Sequence, residues 1–345
     1  MRRYFYNIIT GKSSPVFGFL IRPILAFLSF LFLIAVKTRY FFYKIGIFRS
    51  VKLKKPVISV GNITWGGTGK TPLVESILNR FLNDGKRLAL LTRGYGEDED
   101  KVISQNIPGV SVLRGKRRLV NALKAQEDSS LDIFLMDDGF QHFRIKRDAN
   151  IVTINATDPI GSGFLIPAGI LREPLDSLKR ADMVVITKSD LVDKERLSSI
   201  KSLIRGVASG IDIFEAIHEP VCFYTVSGDK EPIDSLNGKR ACAISGLADN
   251  DSFFVTLKRL NVSVVSRLSY MDHHKYLGTD MDKIKEVVKN NNVDVIVTTE
   301  KDWIKLKSII KPPSLNGVDL FILKIEVRVK ENGIFYRRLS TLLSG

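Results

Sequence analysis

Thr64, Trp65, Gly66, Gly67, Thr68 and Gly69 run directly into Lys70 and Thr71, behind the β-branched stretch Val57 to Val60. A glycine-rich turn of this kind holds a nucleoside triphosphate. Its backbone N–H groups wrap the phosphates, the lysine ammonium meets the outer ones, the threonine hydroxyl ligates Mg²⁺, and the next helix presents its positive end. Pro72 suits the first turn of that helix, where its missing N–H is not needed. The general pattern Gly-x-x-x-x-Gly-Lys-Thr would place glycine at position 64, where this chain has Thr64, so a strict motif scan passes over it. The alternative reading is a plain turn between a core strand and a core helix, which leaves Lys70, Thr71 and Pro72 without a reason.

Two further groups could complete such a site. An apolar run, Leu131 to Met136, delivers Asp137 and Asp138 at its end. That is where a phosphate-loop enzyme holds Mg²⁺ opposite the threonine hydroxyl, although alone it also reads as a strand followed by an Asp-Gly turn. Arg172 and Glu173 sit just before Pro174 in a loop-rich tract. The glutamate is a candidate Mg²⁺ ligand and the arginine a candidate for neutralising a transferring phosphoryl group, with a surface ion pair as the plainer alternative.

The elements that must position these residues follow from pattern. Short apolar runs alternate with helical periodicity from Val57 onward, the sign of a mostly parallel sheet with helices on both faces. Strands are expected at Val57 to Val60, Arg87 to Thr92, Ser111 to Leu113, Ile133 to Met136, Ile151 to Asn155 and Met183 to Thr187. The composition turns polar around Gly228 to Gly238, which places a hinge there. Beyond it, strands are expected at Arg240 to Ser245, Val262 to Leu268, Val293 to Thr298 and Leu320 to Val327, with helices near Asp251 to Leu260 and Asp280 to Lys289. The reading is an α/β protein: an N-terminal membrane-associated helical arm (1–50), a P-loop NTPase-like core (51–228) and a smaller C-terminal α/β domain (229–345).

The net charge of +15 over 345 residues suggests nucleic acid until its distribution is seen. Eleven lysines and arginines lie within residues 1–60, and no acid precedes Glu75. The same segment carries the uncharged run Ile24 to Val36, followed by the aromatic and basic run Lys37 to Lys44. Cations and aromatics flanking an apolar helix are what anionic headgroups attract. From Pro15 to Val36 the segment approaches the ~20 residues needed to cross a bilayer, with Arg22 and Pro23 interrupting it, so spanning and interfacial placements both remain open. A buried core helix is the bland alternative. Membrane is therefore the expected partner rather than nucleic acid, and no protein partner is inferred. Cys222 and Cys242 form no metal-ligand cluster and read as structural. Apolar and charged fractions of 44% and 26% exclude general disorder.

With these pieces in place, the chain resembles the tetraacyldisaccharide 4'-kinase family. The resemblance rests on residues 60 to 72, on Thr92 to Gly96, on Asp137 to His142, on Leu171 to Leu175, on Asp272 to His274 and on Thr299 to Asp302. It implies ATP-dependent phosphorylation of the 4'-hydroxyl of an acylated glucosamine disaccharide 1-phosphate, an anionic lipid, in lipid A biosynthesis. It also implies a place at the inner membrane, with the catalytic domains on the cytoplasmic side. Carried over residue by residue, Thr64 to Thr71 would bind ATP, and Thr71 with Asp138 and Glu173 would hold Mg²⁺. Arg172, Asp137, Tyr95 and Arg118 would position phosphate or substrate.

The family's Gly-Asp-Glu-Pro motif, whose aspartate is thought to activate the sugar hydroxyl, is absent. In its place stands Gly96-Glu97-Asp98-Glu99-Asp100. Spacing back from Gly115 nominates Asp98 as the base, against the alternative of a solvated acidic loop. The resemblance pairs His273 with that carboxylate, Asp272 and His274 being close alternatives, and implies a site formed between two domains that close. A rival reading takes Thr187, Lys188, Ser189 and Asp190 as the base-recognition motif of a P-loop GTPase, which would make the chain a regulator or metallochaperone. A third makes it a membrane-tethered ATPase powering transport.

Overall fold

The computed structural model describes residues 15–94, 97–310 and 317–344. The chain divides into two compact units, one comprising Met1–Gly94, Gly109–Ile217 and Val327–Gly345, the other Tyr95–Pro108 and His218–Glu326.

In the first unit the strands are β1 (Val57–Asn62), β2 (Leu88–Thr92), β3 (Ser111–Arg114), β4 (Ile133–Asp137), β5 (Ala149–Asn155), β6 (Met183–Thr187) and β7 (Asp212–Thr225), the last running on into the second unit. They pair in the order β7-β6-β5-β1-β4-β2-β3, and every pair is parallel. Parallel sheets are covered on both faces, so their strands are apolar throughout rather than alternating. That holds here, with β1, β2, β4, β5 and β6 buried at every residue. From β1 the chain builds outward through β2 to one edge, then returns across β1 to begin β5 on its other side. Ligands bind outside the carboxyl ends of strands at such a reversal. The phosphate loop leaves β1 there, and Asp137 ends its neighbour β4.

The turn after Asp138 closes tightly over β1. A β-carbon on Gly61 would lie 2.6 Å from both the backbone nitrogen and Cβ of Phe140, and one on Gly139 would lie 2.5 Å from the Ser59 hydroxyl. Phe140 itself is fully buried. Only glycine permits this approach.

The helix Pro15–Lys44 runs for 30 residues and contains Pro23. From Ile21 to Lys44 it is long and apolar enough to cross a membrane, with only 11% of its most apolar window buried. A narrow stripe docks on the first unit: Leu25 and Ser29 are buried, and the Ser29 hydroxyl donates to the Leu165 carbonyl and accepts from the Ala168 N–H. Farther along, Tyr40 and Tyr43 pack against Phe143. Elsewhere the helix presents Ile24, Phe27, Phe30, Leu31, Ile34 and Phe41 as exposed side chains. A face so apolar marks contact with lipid or protein rather than water. A fully buried core helix, the alternative to membrane contact, is not what forms.

In the second unit the strands are β8 (Lys230–Glu231), β9 (Arg240–Ser245), β10 (Ser263–Ser269), β11 (Val295–Thr299) and β12 (Asp319–Val329). They pair in the order β10-β9-β11-β12, with β8 antiparallel to β7. The helices Asn250–Arg259 and Gly278–Asn290 contribute Phe253, Leu257, Ile284 and Val288 to its cores. Residues 97–106 form a helix that packs on the helix Glu300–Leu306, where Asn106 donates to Glu300. The final helix, Asn332–Ser344, buries Phe335 and Tyr336 against Phe214 and Phe81 in the first unit.

Gly61→Ala is expected to destabilise the protein by about 1–3 kcal/mol through overpacking against the Phe140 backbone. A lowered thermal unfolding midpoint of the full chain checks this, and an unchanged midpoint would show that the turn can move away.

Candidate active site

The phosphate loop is fixed from below by hydroxyls. Asn62 Nδ2 donates to Thr68 Oγ1 at 3.0 Å, Thr68 and Thr153 share a bond of 2.8 Å, and Thr187 Oγ1 donates to the Thr68 carbonyl at 2.9 Å. Gly66 and Gly69 take positive φ values of 120° and 73°, and Gly69 caps the helix Lys70–Asn83. Thr64 makes an isolated antiparallel bridge with Leu171 and is buried. Its backbone is not left-handed, which is why a β-branched residue serves where the general motif has glycine. Thr187 was among the residues read for base recognition, yet its hydroxyl braces the loop. Neither Asn62 nor Thr153 was singled out from sequence.

The tract from Ile170 to Glu173 is laced onto the same loop. Trp65 N–H donates to the Ile170 carbonyl at 2.6 Å, and the Arg172 and Glu173 N–H groups converge on the Ile63 carbonyl at 2.7 and 3.3 Å. Arg172 then grips the Asp138 carboxylate with both ends of its guanidinium, Nη1 to Oδ1 at 2.7 Å and Nη2 to Oδ2 at 3.1 Å. Lys70 Nζ lies 3.7 Å from Asp138 Oδ1, and Arg118 Nη1 donates to the Asp138 carbonyl at 3.1 Å. Asp138 adopts φ 46°, a left-handed turn that aspartate tolerates better than most residues. The Asp138 N–H donates to Asp137 Oδ1 at 2.8 Å, so Asp137 shapes the turn. In one unit, then, the loop residues, Arg118, Asp137, Asp138, Arg172 and Glu173 converge.

Burial alone would raise the Asp138 pKa. Lys70, the hydrogen bonds and charge of Arg172, and Arg118 outweigh it and hold the carboxyl down at about 2. Burial pulls Arg118 below the usual arginine value despite Asp137 and Asp138. His142 is pushed down to about 4 by burial and by Arg118, so it is neutral at physiological pH.

Glu173 is 2% exposed and accepts from Arg180 Nη2 at 2.6 Å through Oε2. Its other oxygen, Oε1, is buried with no hydrogen-bond partner among the described residues. Arg180 was not recognised from sequence. It ends the short 3₁₀ helix Leu175–Arg180, and nothing local marks it.

The remaining expected residues belong to the second unit. Tyr95 lies outside the described residues, and Asp98 falls in the first turn of the helix Glu97–Asn106. His273 is half exposed at φ 59°, its Nε2 3.7 Å from Asp272 Oδ2. Asp272 pairs with Lys301 at 2.8 Å, and that lysine with His273 holds its carboxyl low against the opposing effect of burial. Lys301 stands on the helix against which the Asp98 helix packs. His274 differs. Its Nε2 meets Asp280 Oδ2 at 2.9 Å and its ring stacks on Tyr270 at 4.4 Å, so it is half-buried and held by structural partners. Asp302 is fully buried, accepting from Thr299, Tyr276 and the Gly246 N–H.

A family model described as tetraacyldisaccharide-1-P 4'-kinase matches residues 21–106 and 97–344. The chain belongs to this family. The tetraacyldisaccharide 4'-kinase of Syntrophus aciditrophicus is 37% identical over 339 residues, covering 89% of each chain. That of Geobacter metallireducens is 34% identical over 84% of this chain and 90% of the relative. The structure is similar to that of LpxK from Aquifex aeolicus, solved in complex with ATP, with a TM-score of 0.71 at 28% identity over 94% of this chain and 99% of that one. The chain is therefore a kinase acting on a lipid A precursor, and family membership decides against the GTPase and transport-ATPase readings.

The depressed Asp138 carboxyl contributes stability that is fully present above its ordinary pKa of 3.8 and is lost as pH falls toward about 2. Arg172→Ala removes cationic support while burial remains, so the Asp138 pKa should rise and acid unfolding should begin at higher pH. Carboxyl-carbon NMR and acid melts measure both, and an unmoved Asp138 titration would refute the contact.

Proposed function

We propose that Thr64 to Thr71 hold the triphosphate of ATP and that the chain transfers its γ-phosphate to the 4'-hydroxyl of an acylated glucosamine disaccharide 1-phosphate. The observation that carries this reading is the convergence of Lys70, Arg118 and Arg172 on Asp138 beside a hydroxyl-braced phosphate loop. A triphosphate competes with Asp138 for the same cations. Lys70 and Arg172 can pass from the carboxylate to phosphate oxygens with little movement, and there they offset charge on the transferring group.

The residues fit a magnesium ion. Among the described residues no group of three or more His, Cys, Asp or Glu could hold a metal, and Mg²⁺ in nucleotide sites needs no such cage: one or two carboxylates, phosphate oxygens and water suffice. Asp138 is ionised, and the Glu173 Oε1 atom is buried without a hydrogen-bond partner among the described residues, a donor set of hard oxygens that suits the ion. We assign Thr71, Asp138 and Glu173 to it. When bound, it would neutralise phosphate charge and orient the γ-phosphoryl group.

For the acceptor we assign Asp98 as the group that takes the proton from the 4'-hydroxyl and His273 as its charge partner. Two features support the pairing. The Asp98 helix packs on the helix whose Lys301 fixes Asp272, and His273, unlike His274, is half exposed. Tyr95, Arg118 and Asp137 are assigned to positioning. Residues 1–50 seat the chain on a membrane, with the exposed apolar face of the helix among the acyl chains and its cations on anionic headgroups. The inner membrane, with both units on the cytoplasmic side, is the placement in which ATP reaches the site.

Purified full-length protein incubated with labelled ATP and a disaccharide 1-phosphate acceptor tests the assignment. Lys70→Ala should lower transfer by about 10²-fold or more. Asp98→Ala and His273→Ala should lower kcat by about 10²–10⁴-fold while nucleotide binding persists. Full activity in Asp98→Ala would move the base to Asp137 or Glu99.

A further inference from the structure

Among the described residues, Glu173 is held through its backbone N–H on one side and by one side-chain hydrogen bond, from Arg180, on the other, with the charge of Arg147 also felt there. Its N–H and that of Arg172 are fixed to the Ile63 carbonyl, so only the side-chain torsions remain to aim the carboxylate. Arg180 sets them through the 2.6 Å bond to Oε2, with side-chain exposures of 12% for Arg180 and 2% for Glu173. A carboxylate this buried is costly unless paired, which keeps the two groups together.

Arg180 is itself located by rings. Its guanidinium lies 4.5 Å from the centroid of Phe140, 4.9 Å from Tyr40 and 5.0 Å from Phe143. Phe140 and Phe143 follow Asp137 and Asp138 in the turn wedged over Gly61, whereas Tyr40 comes from the N-terminal helix. Positive charge crowds this junction, with Arg39 and Arg147 at 5.2 and 5.6 Å from the same Phe143 ring. Burial, and then Arg180, lowers the Arg147 pKa to about 10. Contacts are therefore continuous from the membrane helix through Tyr40 and Arg180 to Glu173.

We propose that Arg180 is a positioning residue for the magnesium site: it aims the Glu173 carboxylate and takes its own place from Tyr40, so the seating of the N-terminal helix sets metal affinity. The inference rests on the assignment of Glu173 as a ligand. It gives the helix a role in the chemistry beyond anchoring, because a kinase whose helix is unseated binds its metal poorly and transfers slowly.

The test is Mn²⁺ binding to the full chain, followed by electron paramagnetic resonance in the presence of a nonhydrolysable ATP analogue. Glu173→Gln should weaken Mn²⁺ binding about tenfold or more, and Arg180→Gln should do nearly the same, the usual range for partners that orient a ligand. Arg180→Gln placed on Glu173→Gln should add nothing. Tyr40→Leu should weaken binding about threefold and Tyr40→Phe should not, since the ring face is what the guanidinium uses. The two Tyr40 variants leave the buried pair intact and carry the test if Arg180→Gln does not fold. An Arg180→Gln protein with native circular dichroism and unchanged Mn²⁺ affinity, beside a weakened Glu173→Gln, would overturn the proposal while leaving Glu173 a ligand. So would additive losses in the double variant, or equal affinities for the two Tyr40 variants. An unaffected Glu173→Gln would remove the ligand assignment and the proposal with it.

Discussion

One carboxylate held among three cations organises the first unit. Asp138 stands at the end of a buried strand, turned into a left-handed conformation, and Lys70, Arg118 and Arg172 reach it from three separate stretches of chain. An ion so placed must be paired, and the pairing in turn requires everything around it. The loop must carry Lys70 past the end of β1, the Ile170 to Glu173 tract must lie against that loop, and the turn after Asp138 must come close enough to β1 that Gly61 and Gly139 have no substitute. Glycines at these two positions thus serve the charge cluster as much as the fold.

The same turn ties the body of the first unit to its apolar N-terminal helix. Phe143 lies under Tyr40 and Tyr43 of the N-terminal helix, and Ser29 locks the helix to the loop at Leu165 and Ala168. The helix has two faces with different tasks, a narrow stripe that docks and a broad apolar surface left exposed. Hydrophobic burial within the protein accounts only for the first. The second belongs to a helix long and apolar enough to cross a membrane, and eleven lysines and arginines lie within residues 1–60, the kind of charge that anionic headgroups attract.

Much of this was legible in the chain because the parallel sheet writes a simple code. Strands covered on both faces are continuous apolar runs, and β1, β2, β4, β5 and β6 read so within a residue or two. β7 did not. Its sequence carries Glu215, His218, Glu219 and Pro220, and the buried Glu215 is tolerable because Lys201 on the preceding helix and Lys330, far along the chain, pair with it. The return of residues after Val327 to the first unit has no local signal either, since it depends on Phe335 and Tyr336 finding Phe214 and Phe81. At the site, residues within a motif were visible and their braces were not. Thr187 sits in a stretch that mimics base recognition, and only the bond to the Thr68 carbonyl reveals its use. Arg180 is one arginine among many until its rings and carboxylate are seen. Thr64, an exception to the motif, follows from a bridge to Leu171 that sequence does not announce.

We propose that Asp138 competes with the triphosphate for Lys70 and Arg172 and cooperates with it in holding the metal. Calorimetric titration of ATP into wild type and Asp138→Asn, with and without Mg²⁺, addresses both halves at once. Asp138→Asn is expected to bind metal-free ATP at least as tightly as wild type and to lose the gain that Mg²⁺ confers. Weaker metal-free binding together with an undiminished Mg²⁺ gain would contradict it.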